Sequence, residues 1–240
     1  MLRANCPHRR ALYVKEHLVI LVDPNTSNIE SMLKQHDEDG GNSINDSLTK
    51  LFDSLNDETN KYEVSIKVAA LNQIYSTAIQ YIAPVVSQIC KNINNNHKTL
   101  SIALYAETVD KIATVTWVSP TSAKQHTRCN MSFSSKYIHF LSGRQLPIYD
   151  SYIWIVMIGY LNQKNKTKLS FSPPKSYQEF YSVFLGFKKD FSLTKRTNYD
   201  LDKYLWQYGK NLINEIISTE RVKLDKAKSI LKKRITRHST

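Results

Sequence analysis

Between Phe133 and Tyr152 the chain sets a lysine and a histidine ahead of an aspartate. The run is Phe133-Ser134-Ser135-Lys136-Tyr137-Ile138-His139-Phe140, then Arg144-Gln145-Leu146-Pro147-Ile148-Tyr149-Asp150-Ser151-Tyr152. Lys136 is expected to open a short helix, with a loop after it and Asp150 at the head of a strongly apolar helix. A carboxylate in that position is first of all a helix cap, accepting bonds from free backbone N–H groups. A lysine on a basic face is first of all a phosphate contact. The pairs Cys6/His8 and His126/Cys129 have metal-like spacing, but each lacks a partner pair, so neither a metal nor another cofactor is expected. Three scattered cysteines give no disulfide framework and point to a reducing compartment.

Hydrophobic periodicity indicates the elements that must hold these residues. A basic arm over 1–25 ends in a short strand, Leu18–Val22, closed by Asp23-Pro24. Two polar helices are expected near Ile29–Gln35 and Ile44–Leu55, separated by the breaker Asp39-Gly40-Gly41-Asn42. Val64, Val68, Leu71 and Tyr75 form one helical stripe. Ile82, Val85, Val86, Ile89 and Ile93 form another, with Pro84 in a first turn or at a kink. Thr99–Val118 reads two ways: Val109, Ile112, Val115 and Val118 fit a helix, whereas Thr114–Val118 is β-branched and aromatic enough for a strand. Further helices are expected near Ser134–Leu141, Tyr152–Leu161, Tyr177–Lys188 and Leu201–Ile216, followed by a basic C-terminal helix frayed at its end.

With 41% apolar residues but only 6 Gly and 7 Pro, the 240-residue chain is expected to be mainly helical, an all-α fold, rather than a β-sandwich. The net charge of +12 argues for a polyanionic partner, because each cation that neutralises a phosphate releases a counterion. The charge is segregated. Thr26–Tyr62 holds eight acids against three bases, a net of −5, which leaves +17 for the remainder. No secretory signal is visible, and the longest apolar stretch, Tyr152–Leu161, is too short to cross a bilayer, so a cytoplasmic protein without a membrane partner is expected.

The Phe133–Tyr152 stretch resembles the helix-hairpin-helix DNA glycosylase superfamily, which includes endonuclease III and the 8-oxoguanine glycosylases. That superfamily has a hairpin, a lysine-bearing helix, and then a Pro-Val-Asp or Pro-Ile-Asp with a catalytic carboxylate. The similarity is closer to a group of bacterial, phage-defence-like proteins that carry three ordered phrases. Here these are Leu71-Asn72-Gln73-Ile74-Tyr75-Ser76-Thr77, then Ser135–Phe140 with Pro147–Ser151, then Leu201-Asp202-Lys203-Tyr204-Leu205-Trp206. The usual Gly-x-Gly hairpin is replaced by Ser132-Phe133-Ser134.

The resemblance implies two helical lobes flanking a cleft. It divides the chain into a basic arm with an acidic helical segment (1–62), a glycosylase-like core (63–216) and a basic tail (217–240). It implies a monomer acting on double-stranded DNA, cutting the N-glycosidic bond of a flipped-out modified or damaged base, such as a hydroxymethylcytosine derivative. Asp150 would stabilise the positive charge that develops on the sugar, and Lys136 would be a nucleophile or a phosphate contact. Asn72, Tyr75, His139 and Tyr149 would meet the base; Ser134, Ser135 and Arg144 would meet the DNA backbone. Trp206 and Tyr208 are expected to be packing residues. The alternatives are a non-catalytic DNA- or RNA-binding helical protein and a subunit of a bacterial defence complex.

Overall fold

The computed structural model describes residues 12–14, 18–95, 100–119 and 121–238. Strands β1 (Leu12–Val14) and β2 (Leu18–Ile20) pair antiparallel, with Leu12 opposite Ile20. Helices α1 (Thr26–Glu38), α2 (Gly41–Ser54), α3 (Lys61–Tyr75), α4 (Ile82–Asn92) and α5 (Ile102–Ala113) follow. A second antiparallel ribbon, β3 (Thr114–Val118) and β4 (Gln125–Cys129), leads into α6 (Met131–Leu141), α7 (Ser151–Asn165), α8 (Tyr177–Asp190), α9 (Asn198–Glu220) and α10 (Leu224–His238). The chain is thus mainly helical, with two short ribbons added. Most of the basic arm expected over 1–25 lies outside the described residues, and the expected strand Leu18–Val22 is β2.

Local chemistry explains where the helices start and stop. Asn25, Asn60, Ser101, Ser176 and Thr197 each accept a backbone N–H from the first turn of the helix they precede. Pro84 sits in the first turn of α4, where its missing N–H costs no helical bond. Between α1 and α2 the chain reverses through Gly40 at φ +83°, a left-handed conformation that glycine adopts without steric cost. The ambiguous Thr99–Val118 segment resolves as both readings in succession. Tyr105, Val109 and Ile112 are buried on α5, and the β-branched run from Thr114 then leaves the helix as β3.

α7 is apolar around its whole circumference, with every residue from Ile153 to Asn162 buried, so it lies at the centre of the fold. It packs against α8, α9 and α10. At Gly159 an added Cβ would come within 2.8 Å of Leu21 and 3.1 Å of Ile235, so the missing side chain lets the segment after β2 and α10 close onto α7. On α10 the apolar stripe Ala227, Leu231 and Ile235 is fully buried. One connected apolar core runs from Val19 to Ile235 and includes Ile29, Leu48 and Phe52 of the acidic helices.

The segment around Lys136 differs from the sequence expectation. α6 begins at Met131, directly after the ribbon closes through Asn130 N–H to the Ala113 carbonyl at 2.8 Å. Ser132-Phe133-Ser134, the expected hairpin, therefore forms the first turn of α6, and Lys136 lies within the helix rather than opening it. The reason is packing: Phe133, Tyr137 and Phe140 enter the core at i, i+4 and i+7, which makes these residues helix. Among the described residues no helix is long and apolar enough to cross a membrane.

Candidate functional site

Asp150 has extended backbone, and its side chain accepts the Tyr152 N–H at 2.7 Å, capping α7. The loop that delivers it is fastened at every step. The Gln145 carbonyl accepts from Asn198 at 2.7 Å, the Leu146 carbonyl bonds His139 Nδ1 at 2.6 Å, and the Pro147 carbonyl accepts from the Tyr177 hydroxyl at 2.5 Å. Ile148 N–H donates to Asp202 Oδ1 at 2.6 Å and Tyr149 N–H to Ser135 Oγ at 3.0 Å. Six successive residues are thus held by α6, α7, α8 and α9. Such a shell holds the Asp150 side chain in one position.

Asp150 borders a cavity of about 640 Å³ that it shares with Lys136, His139, Tyr75 and Asp202. Its lining comes from α1, α2, α3, α6, α7, α9 and α10. This lining includes the aromatic residues Tyr75, Tyr152, Tyr199 and Trp206 and the lysines Lys136, Lys203 and Lys228. A volume between roughly 300 and 1,000 Å³ with a few convergent polar groups is typical of small-molecule sites.

Lys136 is 5% exposed, and its ammonium donates to Ser132 Oγ at 2.7 Å and to the Ser132 carbonyl at 3.2 Å. It lies 5.3 Å from the centre of the Tyr75 ring. Burial lowers its pKa from the ordinary lysine value, against the opposing pull of Asp150 and Asp202. That is the direction a nucleophilic amine requires. His139 is 1% exposed, and burial brings its pKa down to about 4, so it is neutral at neutral pH. The Leu146 carbonyl fixes the ring proton on Nδ1 and leaves Nε2 as an acceptor.

The other residues singled out from sequence fall in different places. Tyr75 lines the cavity and donates to Asn45 Oδ1 at 3.0 Å. Asn72 shapes the turn after α3: its Oδ1 accepts from Thr77 and from Ile79 N–H, and its Nδ2 donates to the Ile79 carbonyl. Ser76 and Thr77 of that turn line the cavity. Tyr149 packs edge-on against Phe180 at 5.4 Å, and burial pushes its phenol up to about 12. Ser134 and Ser135 are fully buried; Ser135 holds Tyr149, and the Ser134 hydroxyl has no partner in the structure. Arg144 joins α2 to the loop after α6 through Asp46, Thr49 and the Asn45 carbonyl, with its guanidinium 4.8 Å from the Tyr199 ring. Trp206 borders the cavity, whereas Tyr208 is tied into the core through a bond from Val22 N–H.

Sequence reasoning passed over Tyr199, Asp202 and Lys203 as site residues. With Trp206 they stand at i, i+3, i+4 and i+7, one face of α9, and that spacing was the available signal. His36 and Gly41 gave no such signal, since the packing of α1 on α9 brings His36 to the wall and Gly41, at the start of α2, lies against His36. His36 is buried edge-on to Trp206 at 5.7 Å, with both ring nitrogens unpartnered. Among the described residues no group of His, Cys, Asp or Glu could hold a metal ion.

The family model described as the HI_0787_N N-terminal domain matches residues 28–145. Lys136 and His139 fall inside that match, and Asp150 and Asp202 fall beyond it. A curated uncharacterized protein of Haemophilus influenzae is 29% identical over 145 residues, 59% of this chain and 63% of the relative. The chain thus spans less than two thirds of the length of the relative it matches. No solved structure matches it.

Proposed function

We propose that the chain is a DNA glycosylase that hydrolyses the bond between a flipped-out modified or damaged base and its sugar, leaving an abasic site. The observation that carries this reading is that Asp150 and Lys136, 14 positions apart in the chain, border one aromatic-walled cavity. A base inside a duplex is out of reach, so the nucleotide must be extruded at a cost of a few kcal/mol. Tyr75, Tyr152, Tyr199 and Trp206 line the cavity that would receive it, each with a lysine or arginine already over its ring. Breaking the base–sugar bond leaves positive charge on C1′ and the ring oxygen, and a carboxylate held beside the sugar lowers the barrier electrostatically. Asp150 takes that role, held by the fastened loop.

In this reading the helices before and after the cavity form the two lobes of a cleft, and the protein acts as a monomer on double-stranded DNA. The excess of basic residues, including Lys228 at the cavity wall, supplies counter-charge to phosphate. The proposed substrate is a modified cytosine such as a hydroxymethylcytosine derivative in phage DNA. Lys136, buried and depressed in pKa, is the group that would attack C1′ if the enzyme also cleaves the strand.

Duplexes carrying ordinary and hydroxymethylated bases test the reading by assay for free base and abasic sites. Asp150→Asn is expected to cut release at least about a hundredfold while DNA binding persists. Borohydride trapping of an adduct that vanishes in Lys136→Gln would mark the lysine as nucleophile. A wild-type protein that binds duplex DNA but frees no base from any of them would leave a non-catalytic binder.

A further inference from the structure

Asp202 lies in the second turn of α9, on the wall of the cavity that Asp150 and Lys136 also border. Its side chain is 6% exposed. One oxygen accepts the Ile148 N–H at 2.6 Å. The cations of α9 pair elsewhere, Lys203 with Asp200 at 3.6 Å and Lys210 with Asp39 at 2.9 Å. Among the described residues no ion pair reaches this carboxyl, and one so deep at a cavity wall is suited to store a proton.

The groups around it define its state. Burial is the largest influence and pushes its pKa up to about 8. The Ile148 N–H, Lys136 on α6 and Lys203 on its own helix oppose that rise, and Asp150 on the loop adds to it. The phenols that feel its charge, Tyr75, Tyr177 and Tyr199, are all raised by burial and stay neutral, as does His139. Lys136 shifts the opposite way, lowered by burial against the pull of Asp150 and Asp202. Asp150 stands instead at the N-terminus of α7, where a helix favours negative charge. Two carboxyl groups in contrasting surroundings are the usual arrangement for dividing acid work from charge stabilisation.

We propose that Asp202 is the general acid of the cavity, delivering its proton to the base as the base–sugar bond breaks, an assignment that rests on the glycosylase reading above. The C1′–N bond breaks with its electron pair going to the base, and the proton from the Asp202 carboxyl neutralises the departing nitrogen or its conjugated oxygen. The cation left at C1′ faces Asp150 and is captured by water. Water supplies hydroxide to C1′, and its remaining proton returns to the Asp202 carboxylate, which restores the enzyme. The Ile148 N–H and Lys136 stabilise that carboxylate while it lasts.

The test is single-turnover base release from duplex DNA, read for wild type, Asp202→Asn and Asp150→Asn across about pH 6 to about pH 10. Wild-type release of neutral bases is expected to fall on the alkaline side as Asp202 loses its proton. Asp202→Asn keeps an oxygen for the Ile148 N–H, and is expected to lose the alkaline limb and slow release by about 10²–10⁴-fold. A duplex containing 7-methylguanine, a base already cationic, should show no such loss. A wild-type rate that stays flat or rises through alkaline pH overturns the assignment whether or not the variant folds. If Asp150→Asn abolishes release but Asp202→Asn leaves rate and profile unchanged, the glycosylase reading stands and the acid assignment falls. If no base is released from any duplex, both fall.

Discussion

Ser135 Oγ accepts the Tyr149 N–H at 3.0 Å while donating to the Ser132 carbonyl at 3.1 Å, so one buried hydroxyl links the body of α6 to the residue before Asp150. Ser135→Ala removes that acceptor and leaves a half-buried N–H unpaired. The expected cost is about 1–3 kcal/mol of stability, measured by urea unfolding. Base release should drop more than DNA affinity does, because Asp150 loses one of its fastenings while the basic surface is untouched. Equal losses in both would show that the loop does not position the carboxylate.

Gly41 lies against His36 so closely that an added Cβ would meet the imidazole at 2.2–2.6 Å. Gly41→Ala is therefore expected to push the ring against Trp206, its neighbour at 5.7 Å, and to destabilise the fold by about 1–3 kcal/mol. In the His36→Ala background the same change should cost much less. A double-mutant cycle checks this, and additive effects would contradict the contact.

A second buried cluster lies away from the cavity. Lys67 and Glu58 form an ion pair with no solvent exposure, Lys67 also donates to the Leu55 carbonyl at 3.0 Å, and the Tyr137 hydroxyl donates to Glu58 Oε2 at 2.5 Å. Lys67→Met strands a buried carboxylate and is expected to cost about 3–5 kcal/mol. Tyr137→Phe should cost about 1–3 kcal/mol, since an acceptor bond is lost but the ion pair remains. Denaturant midpoints rank the two; a milder Lys67→Met would mean that water reaches Glu58.

His139 titrates at about 4 when folded against 6.5 in its ordinary state, so the unfolded chain takes up its proton first as pH falls. The stability it contributes is complete above about pH 6.5 and is lost as pH drops through about 4. Asp202 works in the opposite sense: its raised pKa makes the folded state the better proton binder between 3.8 and about 8, so stability declines as pH rises through that range. Unfolding free energies across pH should therefore show less acid loss in His139→Gln than in wild type, and more in Asp202→Asn. A wild-type profile parallel to both variants would contradict the two assignments.

Most of the elements are legible in the chain, because helix periodicity and capping are local. The stripe Val64-Val68-Leu71-Tyr75, the Pro84 start of α4 and the Asp150 cap follow from neighbours within a turn or two. Locality makes Asp150 a cap and Lys136 a phosphate contact; only the family resemblance makes them catalytic candidates. Ser132-Phe133-Ser134, which stands where the resembled family has its hairpin, is helix here, with Phe133 and Tyr137 in the core. The cavity is a product of tertiary packing: α1 on α9 and α2 on α1 bring His36 and Gly41 into the same lining as Lys136 and Asp150. Packing also decided the state of Asp202, an ordinary surface-type residue in the sequence. Its distance from water is a property of every element packed around it, and no window along the chain records that.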